Sequence, residues 1–301
     1  MMINTKDRAR YKRNTQGRDF VCGDLHGSYQ RLIEFMDFVG FDKDKDRMFS
    51  VGDLVDRGPD SEKCLRLIKE IWFHAVIGNH EQLMSMYYGT NGSASCILGS
   101  IWARNGGRWG VSYGDLNDPD YASVIGQEIR ELSRQATNLP LMITVERQDG
   151  KHFHVIHAEL RSDRALSDED LDDQETFDRV TKVHNEDGEF ITWGRHIYDP
   201  IRKIDLNRPN EFRAAVRRTK LEKPDVLFGP NLSHIYSGHS IMRQPTRCKG
   251  QTNLDTMAFK SFSGVEQWAG LTVTEPLTDR FWLTNADGVK ETKPIILSES
   301  E

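Results

Sequence analysis

The chain has 301 residues, 37% hydrophobic and 29% charged, the balance of a soluble globular protein with one large domain or two modest ones. No apolar run approaches the length a bilayer demands, which argues against a transmembrane span. A formal charge of −6 disfavours a general nucleic-acid binder, although a local basic groove would escape that count.

The first twenty residues, MMINTKDRARYKRNTQGRDF, carry six Lys/Arg against two Asp and lack the apolar centre of a secretory signal. Residues 1–18 therefore read as a solvated basic leader in preference to a nucleic-acid arm. RDFVCGD is a short β-prone run, and SYQRLIEFMDFVGF follows with apolar residues at helical spacing. DRMFSVGD, SEKCLRLIKEI, FHAVIGNHE and EQLMSMYYG repeat the alternation, so β-α-β-α-β and a parallel sheet packed by helices are expected. The stretch 94–138 turns helical, most clearly in YASVIGQEIRELSRQATNL. LMITVE, RQDGK and HFHVIHA read as a hairpin, and DVLFG, SHIYSGH, LTVTE and DRFWLTN as further strands, so a second, mixed sheet can stack on the first. Between 161 and 190, eleven Asp/Glu stand against four Lys/Arg. A solvated loop or helix face is the plain reading of that run, and a lid that selects substrates is its rival. Cys22, Cys64, Cys96 and Cys248 form no CxxC pair, which argues against a disulfide framework or zinc knuckle and suits a reducing cytoplasm.

Three glycine-flanked motifs, GDLHG at 23–27, GDLVDRG at 52–58 and GNHE at 78–81, each begin where an expected strand ends. Ligand sites in such sheets lie beyond the carboxyl ends of the strands, and glycine lets the chain turn off there without filling the space. Asp24, His26, Asp53 and Asn79 are oxygen and nitrogen donors with no thiolate among them, a set suited to manganese, iron, zinc or magnesium. Asp53 could bridge two ions, and a pair of divalent cations can activate a shared water and orient a phosphate. Two ions need more donors than this third supplies. His157 in HVIHAE and His239 in IYSGHS are the strand-end candidates, each with a surface or capping role as its alternative. Arg57 offers a planar fork matched to phosphate oxygens. Asp56 could orient His80, and a His–Asp pair can donate a proton to a leaving alkoxide. These parts ask for phosphoester hydrolysis. His154 is out of parity with His157 on its strand and, with His152, reads as structural. His74, His184, His196 and His234 carry no motif and are expected at the surface. Arg104 and Arg108 in ARNGGRWG are further cations, with solvent-facing positions as the alternative.

The series GDLHG, GDLVDRG, GNHE resembles the signature of the PPP-type metallophosphoesterases, especially the bacterial and bacteriophage-lambda-like serine/threonine phosphatases. The resemblance covers 18–84 and returns at VIHA, ITWGR and YSGHS. It implies an α/β fold, a four-layer αββα sandwich of two mixed β-sheets flanked by helices. Residues 19–301 would form a single domain with insertions near 85–140 and 161–235. It also implies that Asp24, His26 and Asp53 hold one metal, while Asp53, Asn79, His157 and His239 hold a second. The ions would be manganese first, with iron, zinc or magnesium as alternatives. His80, supported by Asp56, would be the general acid, and Arg57 with Arg195 of WGR would bind the phosphoryl group. A metal-bound hydroxide would attack directly, with no phosphoenzyme.

The expectation is thus a cytoplasmic phosphatase (in the host cytoplasm if phage-encoded) acting on phosphomonoesters. Phosphoserine or phosphothreonine in proteins leads, and small phosphoesters follow. Ile77 stands where many members have Arg, as in the related diadenosine-tetraphosphate hydrolases. Those relatives usually end the third motif in Asp and often lack the Asp of DRG, whereas Glu81 and Asp56 are kept here. A dinucleoside-polyphosphate hydrolase or nucleic-acid-end phosphatase is the alternative of the same chemistry. A catalytically silent binding homologue is the alternative of another class, which missing ligands would signal.

Overall fold

The computed structural model describes residues 7–89, 95–160, 162, 164–181, 184, 185, 188–195, 197, 198, 231–248 and 250–297. The expected strand DVLFG, His196 and the side chains of Cys96 and His184 lie outside what is described. The first half runs β1 (Arg8–Tyr11), β2 (Asp19–Cys22), α1 (Tyr29–Val39), β3 (Arg47–Ser50), α2 (Ser61–Arg66), β4 (Phe73–Ala75), α3 (Asn79–Gly89), α4 (Ser95–Arg104) and α5 (Val124–Ala136). Next come β5 (Met142–Glu146), β6 (His152–Ile156), α6 (Asp168–Asp172), α7 (Gln174–Thr181), β7 (His184–Asn185), β8 (Gly188–Glu189) and α8 (Phe190–Trp193). The chain closes with β9 (His234–Ser237), β10 (Thr246–Cys248), β11 (Gln251–Asn253), β12 (Leu271–Glu275), β13 (Arg280–Asn285), β14 (Gly288–Thr292) and β15 (Ile295–Leu297).

Two mixed sheets result. One has the order β14-β13-β12-β2-β3-β4, the other β1-β5-β6-β9-β11-β10-β15. In the first, β2, β3 and β4 are parallel and β12 is antiparallel to β2. In the second, β5 and β6 form the expected antiparallel hairpin, and β9 runs parallel to β6.

Period-two alternation turns these strands into four layers. On β2, Phe20 and Cys22 face the helices with Leu32, Phe35 and Met36 of α1, while Val21 faces the other sheet. Val21, Phe49, Ile143, Val145, Phe153, Val155, Tyr236 and Phe281 fill the space between the sheets. Met142, Ile156 and Ile235 point the other way, into a third core closed by Leu171, Phe177 and Val180 of α6 and α7. The architecture is the αββα sandwich.

Residues 8–11, expected within a solvated leader, instead form β1, which adds to the edge of the second sheet in parallel register with β5. Ala9 is buried between the sheets, and Arg8 Nη1 donates to the carbonyls of Leu171 (2.5 Å) and Asp172 (2.8 Å). Net charge hid an alternating pattern, and charged side chains on an edge strand also discourage edge-to-edge pairing. The acidic run supplies α6 and α7, with Leu171 and Phe177 inside and Glu169, Asp172, Asp173 and Glu175 exposed. His74 and His234 are half-buried rather than on the surface. His74 Nδ1 lies 3.1 Å from Tyr11 Oη, and His234 Nε2 lies 2.8 Å from Thr252 Oγ1. His154 is buried between Thr144 (2.9 Å) and Asp168 (3.0 Å). Among the described residues no helix is long and apolar enough to cross a membrane.

Candidate metal centre

Every motif sits just past a strand end. Asp24 and His26 follow β2, Asp53 follows β3, and Asn79 and His80 open α3 after β4. On the facing sheet His157 follows β6 and His239 follows β9. The two sets of strand ends meet at a seam. His157 Nδ1 donates to Val51 O across it at 2.7 Å, and the His239 N–H donates to Asp24 Oδ2 at 3.0 Å. Gly238 permits that approach, since a Cβ there would run into Asp24 Oδ1. All seven side chains are at most 5% exposed.

Hydrogen bonds fix which ring nitrogens face inward. His26 Nδ1 donates to Val55 O at 2.8 Å, which leaves the lone pair of Nε2 toward Asp53 Oδ2 at 3.5 Å. His157 is held in the same way by Val51 O, and its Nε2 lies 3.5 Å from Asp53 Oδ1 and 2.9 Å from Asn79 Oδ1. His239 brings Nδ1 to 2.9 Å from the same Asn79 oxygen. Among the described residues two sets of donor atoms form, each within 4.8 Å of one another: His26, Asp53 and His80, and Asp53, His157 and His239. Asp53 belongs to both.

The backbone is strained where these groups converge. Among the described residues seven non-glycines have positive φ, and five of them are His26 (41°), Asp53 (48°), Asp56 (77°), Arg57 (68°) and His239 (66°). Each such conformation costs on the order of 1–3 kcal/mol and persists only where the surroundings over-determine it.

The charges show what the cluster lacks. Burial, then the neighbouring carboxylates of Asp255 and Asp53, push the Asp24 carboxyl well above its usual range. Burial would also raise Asp53, but four imidazoles, led by His157, hold it low. Burial pushes His26, His157 and His239 below the ordinary imidazole value, which favours the neutral form that ligates metals. His80 goes the other way: burial lowers it, but Asp53 and Asp56 outweigh that. Crowded carboxylates beside neutral imidazoles form a buried donor set short of positive charge, and divalent cations fit it.

Two arginines reach the cluster. Arg57 places Nη1 2.7 Å from His26 Nε2 and Nη2 2.8 Å from His80 Nε2. Arg195 donates from Nε to His239 Nε2 at 3.0 Å. His80 Nδ1 is 2.6 Å from Asp56 Oδ2. All ten residues singled out in the sequence therefore lie in one cluster, and Arg104 and Arg108 are exposed. The sequence reading passed over three groups. Asp255, 1% exposed and pushed by burial to about 6, follows the end of β11, so the strand-end rule could have found it. Trp102 and Trp109 donate their indole N–H groups to Asp56 from a segment whose arginines had drawn attention instead.

The sequence profile of the calcineurin-like phosphoesterases matches residues 20–242. This chain is a calcineurin-like phosphoesterase. The phosphoesterase is 30% identical over 216 residues to a serine/threonine-protein phosphatase 2 of Escherichia coli K12, an alignment covering 67% of this chain and 92% of that protein. It is 40% identical over 91 residues to a symmetrical bis(5'-nucleosyl)-tetraphosphatase of Coxiella burnetii, covering 29% of this chain and 30% of that one. Its fold is that of a cold-active protein-tyrosine phosphatase from a psychrophilic Shewanella, with a TM-score of 0.51 at 15% identity over 95% of this chain and 83% of the other. The phosphoesterase is thus a hydrolase of the metallophosphoesterase type, related to the bacterial PPP-type phosphatases as its three motifs suggested.

Proposed function

We propose that this phosphoesterase hydrolyses phosphomonoesters, with phosphoserine and phosphothreonine in proteins as its leading substrates. The observation that carries the reading is the single carboxylate of Asp53 shared by two donor sets, with the Arg57 guanidinium spanning His26 and His80 beside it. His80 of the first set is kept for proton transfer, so Asp24, whose carboxylate reaches the seam at the His239 N–H, would join His26 and Asp53 on one divalent ion, with Asp53, Asn79, His157 and His239 on the other. Manganese is the proposed metal, because oxygen and imidazole donors without sulfur suit it. Bound there, such a pair supplies a nucleophile at neutral pH and neutralises phosphate oxygens.

The protein's own groups do the rest. Arg57 and Arg195 grip the phosphoryl oxygens, the former through a planar fork that pre-sets their orientation. His80 keeps Nδ1–H on Asp56 and delivers a proton from Nε2 to the departing alkoxide. Burial of the cluster excludes water and strengthens each of these interactions. Cys22 and Cys64 are buried free thiols, which supports a reducing cytoplasm.

The test is manganese-supplemented hydrolysis of phenyl phosphate and a phosphoserine peptide, whose poor leaving groups need the acid, with His80→Asn as the variant. Turnover should fall about 10²- to 10⁴-fold while bound metal persists. Normal turnover by that variant would remove the acid from the scheme. A dinucleoside tetraphosphate belongs in the same assay, because Ile77 and the Coxiella relative favour that substrate as the second reading. Glu81 weighs on the phosphomonoester side, since the related tetraphosphate hydrolases usually end this motif in Asp.

A further inference from the structure

Asp56 is fully buried, and three ring N–H groups converge on its carboxylate. Oδ2 receives His80 Nδ1 at 2.6 Å and Trp102 Nε1 at 2.9 Å, and Oδ1 receives Trp109 Nε1 at 2.8 Å. We propose that the segment Trp102–Trp109 is a positioning clamp for Asp56 and the strained turn it shares with Arg57, setting the aim of the His80 acid. The inference rests on the role given to His80 above.

Indole is a donor with no charge. It can therefore fix both carboxylate oxygens of Asp56 without neutralising them as a lysine or arginine would, and the negative charge stays available to the imidazolium of His80. The indoles are themselves locked. The Trp102 ring packs on Tyr87 (centroids 5.3 Å apart), Tyr88 (5.4 Å) and Trp109 (5.8 Å). Tyr87 and Tyr88 donate to Val111 O and Gly110 O at 2.7 and 2.8 Å.

The clamp also grips the main chain. Asp56 and Arg57 are consecutive left-handed residues, a costly pairing for side chains with a Cβ. Arg57 N–H donates to Gly106 O at 3.3 Å, and Asp56 N–H to Ser61 Oγ at 2.9 Å, so the strained turn is pinned on both residues. The glycine pair makes this contact possible. A Cβ on Gly106, whose φ is 112°, would lie 2.7 Å from Arg57 N and Cγ, and one on Gly107 would run into the Trp102 indole. Aromatic donors, glycine contacts and strain thus point to one task.

The experiment removes the N–H groups and varies the leaving group. Trp109→Phe, and Trp102→3-benzothienylalanine, which replaces N–H by sulfur at nearly constant shape, are compared with wild type on phenyl phosphate and p-nitrophenyl phosphate. A poor leaving group needs the acid and a good one does not. For each variant kcat on phenyl phosphate should fall about 10- to 100-fold and on p-nitrophenyl phosphate only a few-fold, with metal content unchanged. Equal losses on both substrates, or none, would overturn the clamp. Asp56→Asn separates the two ideas. If it too loses activity without regard to leaving group, the acid role given to His80 is wrong. If it shows the leaving-group dependence and the tryptophan variants do not, the clamp alone is wrong.

Discussion

Glu81 Oε2 accepts the backbone N–H of Asp53 at 2.9 Å, tying the third motif to the second. The same carboxylate takes Leu54 N–H on Oε1 at 2.8 Å and Gly78 N–H on Oε2 at 3.0 Å. It thereby props the left-handed backbone of the one residue that both donor sets share. Glu81→Asp shortens this reach by one methylene. Manganese affinity should weaken about 10- to 100-fold, the usual cost of losing such a supporting bond, with much of the activity recovered at high metal. Titration calorimetry on the variant checks it, and unchanged affinity would show the prop to be dispensable.

Asp53 is the centre of the arrangement, so its loss should be felt at both sets. Ions that bind only the folded state stabilise it by about 2.7 kcal/mol at free concentrations 100 times Kd. Wild type should show this as a rise in Tm with manganese that a chelator reverses. Asp53→Asn should abolish the rise, and His239→Asn should retain part of it. Equal behaviour of the two variants in thermal melts with parallel metal analysis would argue against a shared carboxylate.

Two half-buried histidines away from the cluster set a stability profile. Burial, with Arg47 adding to it, lowers His74 from 6.5 to about 4, and burial lowers His234 to about 3. A depressed imidazole means that between these values the unfolded chain binds more protons than the native one, so stability falls as pH falls through the window. For His74 the loss from pH 6.5 to 4 is on the order of 3 kcal/mol. Urea unfolding over this range should show wild type losing that amount of stability relative to His74→Phe on acidification. Parallel curves would mean that His74 is already charged when folded.

Arg8 is the anchor of β1. Its guanidinium bonds the carbonyls ending α6 and Gln174 Oε1 at 2.6 Å, and lies 4.8 Å from the Phe177 ring centre. Arg8→Ala should cost about 1–2 kcal/mol in chemical unfolding. A solvated leader would show no cost, which makes the measurement decisive between the two descriptions of residues 8–11.

Much of this molecule was legible in one dimension because its signals are local. Alternation of short β-prone runs with 3.6-period helices gave the parallel half-sheet, and the hairpin at 142–156 announced the second sheet by its turn. Asp24, His26, Asp53, Asn79 and His80 were identifiable because each motif packs its donors and its turn glycines into a few contiguous residues. Where signals conflicted, the summary lost to the pattern. The charge of residues 1–18 concealed a strand, and the two arginines of ARNGGRWG drew attention from its tryptophans and glycines.

The sequence by itself determined the donor chemistry and the strand ends that carry it, since both follow from residue type and near-neighbour backbone preference. Only the tertiary structure decided that Asp53 serves two donor sets, that Asp255 crowds Asp24, and that two indoles close on Asp56. Those relations join strand ends on two different sheets and a helical segment far along the chain. Their partners meet through core packing and burial, which no spacing along the chain encodes.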